Sequence, residues 1–177
     1  MSDSNTRFKV VVKAIIAALE ENLTVVIQAA KDAHFAATHS ESVAETKYDT
    51  FGLESSYLAQ GQQKRVDEVN QALSYFLQLP IDNRQAPDSV EPPCLVELVS
   101  ESEHEQTDIS MTRQFFVAPF AGGLTVTVHI DGVQGQDVTV VTPASPVGQS
   151  LLTKMLDDEV SVMVKGEAFN FDIVEIY

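Results

Sequence analysis

The sequence predicts an α+β protein, in which an N-terminal antiparallel α-helical coiled-coil hairpin precedes a small antiparallel-sheet domain with one short helix. The prediction rests on a change of period along the chain. Apolar residues first recur with heptad spacing, then a proline-rich stretch follows, and the remainder alternates apolar and polar residues. We therefore place the hairpin at 1–79, a linker at 80–93 and the α+β domain at 94–177.

The composition limits the classes of function that the chain can have. It has 177 residues, a formal net charge of −15, 44% hydrophobic residues and one Cys. The apolar content suffices for a core, whereas the excess of 26 acidic over 11 basic residues excludes autonomous nucleic-acid binding through phosphate contacts. A single Cys excludes an internal disulfide framework and a Cys-rich zinc site. Neither a signal peptide nor a membrane span fits, so we expect a cytoplasmic protein.

The first two helices are predicted from two apolar seams. The first seam consists of Val12, Ile16, Leu19, Leu23, Val26, Ala30, Ala33 and Ala37. The second consists of Tyr48, Gly52, Ser55, Ala59, Gln62, Val66, Val69, Leu73 and Phe76. Their alternating spacing of four and three residues is the a/d pattern of a coiled coil. Antiparallel pairing of the seams places the hairpin tip between Ser42 and Val43, and Pro80 ends the second helix.

Beyond the linker, short apolar runs predict strands separated by turns. The runs cover 95–99, 115–117, 124–130, 138–141, 159–164 and 169–176. Ser145 followed by Pro146 is typical of an N-cap and the first position of a helix, which we expect to continue through VGQSLLTKM. Paired glycines within 114–137 predict additional hairpin turns, and 100–108 is a charged loop.

The most specific pattern lies between Val141 and Tyr177. Its matching residues are Ser145, Pro146, Val147, Leu151, Leu152, Lys154, Asp158, Val160 and the run 173–175. This segment resembles the C-terminal domain of the bacterial Gre transcript cleavage factors, GreA and GreB, in which a Ser-Pro-[IV]-x-x-x-L-[IL]-x-K helix precedes two strands. The resemblance implies an N-terminal antiparallel coiled coil followed by an FKBP-like C-terminal domain.

The predicted tip, 39–49, carries the candidate functional residues. Glu41, Glu45 and Asp49 follow one another at four-residue intervals, which places them along one stripe of a helix. The Gre signature at this place has the form Asp-Leu-x-Glu-Asn-x-x-Tyr. Glu41 takes the Asp position and Tyr48 the Tyr position, whereas Glu45 lies one residue after the family's Glu.

The resemblance implies a function in transcription elongation. Gre factors insert their coiled coil through the secondary channel of RNA polymerase and place tip carboxylates beside the catalytic Mg²⁺ of the polymerase. We therefore expect Glu41, Glu45 and Asp49 to act in cleavage of backtracked RNA, with Glu41 and Glu45 as ligands of a Mg²⁺ shared with the polymerase. The chain itself is then a monomer and not an enzyme, since it stimulates the hydrolytic activity of its partner.

Alternative interpretations remain open at the level of the sequence. The shifted acids fit a regulator that occupies the same channel without stimulating cleavage. An FKBP-like fold also occurs in prolyl isomerases, but their site needs a deep aromatic pocket, and this chain has no Trp. A further interpretation is a coiled-coil adaptor protein that dimerises. Finally, carboxylates in a chain of this charge can be merely solvated.

Overall fold

The structure is a computed structural model that describes residues 2–38, 51–82, 84–100, 111–129, 135–164 and 166–177. The helices are α1 (Ser2–Thr38), α2 (Phe51–Leu77) and α3 (Pro146–Leu151). The strands are β1 (Cys94–Ser100), β2 (Met111–Val117), β3 (Thr125–Val128), β4 (Gln136–Val141), β5 (Glu159–Val164) and β6 (Glu167–Ile176). The chain is thus α+β, as predicted.

Contacts divide the chain into two compact units. The sheet unit consists of Met1–Ile15 and Leu79–Tyr177, and the helical unit consists of Ile16–Gln78. The first turns of α1 therefore belong to the sheet unit. The domain boundaries at 79, 93 and 94 that the sequence suggests stay predictions.

In the helical unit, the described residues that the heptad pattern selects are buried or half-buried. On α1 the buried side chains Leu19, Val26 and Ala33 recur at every seventh position. On α2, Val66 and Val69 are buried as well. This confirms the apolar stripe of each helix, because only side chains on a repeated face can be buried at such intervals. The antiparallel register and the position of the tip stay predictions.

The sheet unit contains a six-stranded sheet of order β3-β4-β2-β1-β6-β5. Our prediction of a wholly antiparallel sheet is wrong, because β2 and β4 pair in parallel. The edge strand β3 pairs antiparallel with β4, and this returns the chain so that β4 runs in the direction of β2. Alternation of apolar and polar residues identifies a strand but not the strand that pairs with it, so the parallel pair could not be predicted from this pattern.

One face of the sheet carries a continuous apolar core. It contains side chains from β1, β2, β4, β5 and β6, together with Leu151 from α3 and Val90 from the segment before β1. Val90 is held there by backbone hydrogen bonds to Thr153 and Lys154. The proline-rich segment is thus fixed to the sheet unit over part of its length.

The first turns of α1 cover the opposite face of the sheet. Phe8 is 1% exposed, and its ring centroid lies 5.4 Å from that of Phe116 on β2. Val11, Val12 and Ile15 of the same helical segment are fully buried. The sheet therefore has apolar side chains packed on both faces.

The start of α3 has the cap that the sequence predicts. The Ser145 hydroxyl accepts a hydrogen bond from the Gly148 N–H at 3.0 Å and donates one to the Thr142 carbonyl at 2.7 Å. Pro146 occupies the first helical position, where its missing N–H costs nothing. The helix ends at Leu151, four residues before the predicted end, and a turn replaces its last part.

Within the residues that the structure describes, no helix combines the length and the apolar character needed to cross a bilayer.

Candidate functional site

The predicted tip lies outside the described residues. This applies to all three candidate carboxylates, Glu41, Glu45 and Asp49, and to the neighbouring Tyr48. Their proposed roles therefore stay predictions. Among the residues that the structure does describe, no group of three or more His, Cys, Asp or Glu side chains could hold a metal ion.

An open groove of about 550 Å³ runs between α1 and α2 in the helical unit. It is lined by Ile27, Ala30, Lys31 and His34 of α1 and by Ala59, Gln60, Gln63 and Val66 of α2. Both helices thus lie side by side along this stretch. Large apolar side chains are exposed in the same unit, with Phe35 67%, Tyr57 63% and Leu58 57% accessible.

A polar row crosses three adjacent strands of the sheet unit. Glu97 on β1 lies opposite Gln114 on β2, and the Gln114 amide donates to Glu97 Oε2 at 3.2 Å and to Gln136 Oε1 at 3.0 Å. Gln114 is only 4% exposed. Burial of polar side chains lowers stability unless their donors and acceptors form hydrogen bonds.

Arg7 of α1 supplies the pairing for this row. Its Nη2 atom lies 2.8 Å from Glu97 Oε2 and donates to Gln136 Oε1 at 2.6 Å. The Arg7 and Glu97 side chains are 19% and 16% exposed. Two donors, Arg7 Nη2 and the Gln114 amide, therefore share the same two acceptors. We call this set of Arg7, Glu97, Gln114 and Gln136 the arginine cluster.

Aromatic side chains border the arginine cluster. The Arg7 guanidinium lies 5.3 Å from the ring centroid of Tyr177, and the Arg84 guanidinium lies 4.2 Å from that of Phe8. Both distances allow cation–π attraction. Burial raises the pKa of the Tyr177 hydroxyl, Arg7 opposes the shift, and the carboxylate of Glu97 adds to it.

The cavity beside these aromatic residues is small. It is lined by Asn5, Phe8, Arg84, Ala86 and Tyr177, and it holds about 10 Å³. Ligand pockets commonly enclose several hundred cubic ångströms, roughly 300 to 1,000 Å³. This cavity therefore gives no support to an isomerase-type site.

Four further side chains of the sheet unit are either buried in its core or exposed on its surface. Cys94 is fully buried, and burial raises the pKa of its thiol to about 12, so a reactive thiolate does not form at neutral pH. His129 lies on the exposed surface. Arg113 is exposed, whereas Phe116 is buried against Phe8.

The arginine cluster was missed at the level of the sequence. Glu97 lies between Val96 and Leu98, and Gln114 directly precedes Phe115. A polar residue at an inward position of a strand is the signal that marks such a cluster. The partner on α1 carries no comparable signal, since Arg7 lies in a polar N-terminal stretch.

Comparisons with known proteins give distant likenesses only. No protein-family model matches the chain, and no curated protein matches it. Among solved structures, the GreA factor homolog 1 (Gfh1) of Thermus thermophilus is 16% identical with a TM-score of 0.34, and the match covers 92% of this chain and 94% of that chain. Gfh1 of Thermus aquaticus is 16% identical with a TM-score of 0.35 over 93% of this chain and 95% of that chain.

A further match is the prokaryotic transcription elongation factor GreA/GreB from Nitrosomonas europaea. It is 17% identical with a TM-score of 0.33, over 61% of this chain and 78% of that chain. TM-scores of this size are low, so the likenesses carry no argument for function.

Proposed function

We propose that this chain is a Gre-type transcription elongation factor that binds RNA polymerase through its secondary channel and stimulates cleavage of backtracked RNA. The observation that carries the proposal is the segment from Val141 to Tyr177. Its residues resemble the Gre C-terminal pattern, and the segment starts at the last residue of β4 and folds into a Ser-Pro capped helix and two closing strands. The proposal includes an FKBP-like arrangement of this domain.

The helical unit supports the same proposal. Long helices with a heptad burial pattern are suited to form an antiparallel coiled-coil hairpin. Exposed Phe35, Tyr57 and Leu58 provide apolar surface for contact with the walls of a channel. A net charge of −15 disfavours direct binding to nucleic acid and leaves the polymerase as the partner.

The chemistry is assigned to the tip. In the proposal, Glu41 and Glu45 supply carboxylate oxygens, which are the ligands that Mg²⁺ prefers, next to the active centre of the polymerase. Asp49 lies one helical turn further along the same stripe. The metal belongs to the polymerase site, and the chain contributes oxygen ligands and orients water by hydrogen bonds.

The experiment that tests this function is RNA cleavage by a backtracked elongation complex with Mg²⁺ and a bacterial RNA polymerase. The full chain is compared with Glu41→Ala/Glu45→Ala. A matched control, Glu20→Ala/Glu21→Ala, removes the same number of carboxylates from the exposed surface of α1. We expect stimulation by the parent chain and by the control, and its loss in the tip variant.

A second candidate function follows from the position of Glu45, which lies one residue after the Gre glutamate. A displaced carboxylate can miss the metal while the hairpin still fills the channel. The regulator hypothesis is supported when the parent chain and the tip variant both bind the polymerase and neither stimulates cleavage. Absence of binding by the parent chain contradicts both functions.

A further inference from the structure

The groove between α1 and α2 has the size of a small-molecule binding site. Its volume of about 550 Å³ lies within the range of roughly 300 to 1,000 Å³ that ligand pockets commonly have. Ala30 on α1 and Ala59 on α2 line it, and their short side chains leave space between the helices. Ile27 and Val66 add apolar surface. A ligand that fills the groove therefore needs an apolar body, which gains free energy when it leaves water.

The polar side chains that line the groove are hydrogen-bond donors. Lys31 is a cation, His34 carries an N–H in either charge state, and Gln60 and Gln63 have amide groups. No carboxylate is among the described side chains of this lining, although the chain has 26 acidic and 11 basic residues. The lining thus differs in charge from the acidic average of the chain and favours an anionic group.

The charge of Lys31 is not compensated within its own helix. On a helix, side chains three and four residues apart are the ones that can pair. Around Lys31 these positions carry an isoleucine, a glutamine, a histidine and a phenylalanine, none of which is acidic. Lys64 on α2, by contrast, pairs with Glu68 one turn further along at 3.8 Å. Lys31 can therefore attract an anion to the groove.

The apolar and polar parts of the lining follow one another along α1. Ile27 lies one turn before Lys31 and two turns before His34, a distance of about 10 Å along the helix axis. A ligand aligned with α1 can place an apolar chain beside Ile27 and its anionic group beside Lys31. No aromatic ring is among the described side chains of the lining, so stacking does not favour a flat ligand.

We propose that this groove binds an aliphatic monocarboxylate of medium chain length. The hydrocarbon chain lies along the apolar part of the lining, and the carboxylate accepts hydrogen bonds from Lys31 and His34. A single lysine matches a ligand with one negative charge, and the aliphatic lining matches its hydrocarbon chain. The inference does not depend on the proposed function, because it concerns only the residues of the groove.

The first test titrates decanoate, below its micelle-forming concentration, into the full chain by isothermal titration calorimetry. The variant Lys31→Gln is compared with Lys64→Gln, which removes an exposed lysine outside the lining. We expect the Kd to rise about tenfold or more for Lys31→Gln, as the loss of a charged hydrogen bond typically causes, and to stay unchanged for Lys64→Gln. Absence of binding by the parent chain, or equal Kd values for the parent chain and Lys31→Gln, overturns the inference.

A second test fills the groove. The variant Ala30→Leu/Ala59→Leu places larger apolar side chains in the lining, and leucine keeps a high helix propensity. We expect it to lose decanoate binding and to melt at the temperature of the parent chain or above. Ala17→Leu, at an exposed position of α1 in the same unit, is the control and should bind decanoate like the parent chain. Unchanged binding by the filled variant places the ligand elsewhere and overturns the inference.

The third test changes the charge of the ligand and keeps its chain. Decyltrimethylammonium carries a hydrocarbon chain of the same length as a cation, so Lys31 should repel it. We expect the parent chain to bind it much more weakly than decanoate. Equal affinity for the two ligands would show that the groove selects only an apolar chain, and the assignment of a carboxylate would be wrong.

Discussion

At the scale of single residues, Arg7 joins the first turns of α1 to the polar row of the sheet. It pairs with Glu97 and donates to Gln136, and both acceptors also receive the Gln114 amide. Removing one partner of a buried ion pair leaves the other charge without compensation, whereas replacing both partners by apolar groups is often neutral. The cluster therefore fixes one arrangement of the first turns of α1 on the sheet more than it adds to net stability.

We expect Arg7→Met to lower the free energy of unfolding by about 2 kcal/mol, because it strands the Glu97 carboxylate at a largely buried position. The double variant Arg7→Met/Glu97→Leu is expected to recover most of this loss. Urea unfolding followed by circular dichroism measures both. Lys9→Met is the matched control, since Lys9 pairs at 2.6 Å with the highly exposed Asp82, and its midpoint should stay near that of the parent chain. If the double variant is as unstable as Arg7→Met, the uncompensated Glu97 carboxylate is not the cause of the lost stability.

At the scale of elements, the sequence predicted best what depends on neighbours along the chain. The cap at Ser145, the end of α2 before Pro80 and all six strands follow from local patterns, and the structure confirms them. The parallel pairing of β2 with β4 could not be predicted this way, because it depends on which strands meet across the sheet. The arginine cluster could not be predicted for the same reason, because it joins Arg7 to residues far along the chain.

Two glycines in helices have opposite roles, and alanine substitution distinguishes them. In α3, a Cβ at Gly148 would lie 2.0 Å from the Thr142 carbonyl oxygen, so Gly148→Ala forces the capped turn apart. In α2, a Cβ at Gly61 meets nothing within 4 Å, so Gly61→Ala is expected to stabilise by about 0.5–1 kcal/mol through helix propensity.

The measurement is thermal melting of both glycine variants beside the parent chain. Gly148→Ala is expected to melt at a clearly lower temperature, because backbone atoms must shift to accommodate the added methyl group. Gly61→Ala is expected to melt at the same or a higher temperature. Equal effects of the two substitutions would show that helix propensity, and not the close approach at Gly148, controls the result.

At the scale of the whole molecule, the sheet unit includes a part of the chain far from it in sequence. Met1–Ile15 groups with Leu79–Tyr177, and Phe8 packs on Phe116 of the sheet. The change of period in the sequence suggested a boundary near residue 80, because periodicity reports the type of element and not the unit in which it packs. One continuous helix thus contributes residues to two units.

This division predicts that a fragment comprising residues 80–177 does not fold like the full chain. Without the first turns of α1, Phe116 loses the side chain that covers it, and the buried Gln114 loses its cationic neighbour. The fragment is destabilised because burial of apolar surface is the main favourable term in folding. We expect the fragment to melt without a sharp transition and to bind the dye ANS, as states with loosened packing do. In the full chain, Phe8→Ala should keep a cooperative transition and lose about 3–5 kcal/mol, the usual cost of removing a buried phenylalanine. A fragment that melts as sharply as the full chain, without ANS binding, would show that the sheet folds alone and that the helical segment only covers it.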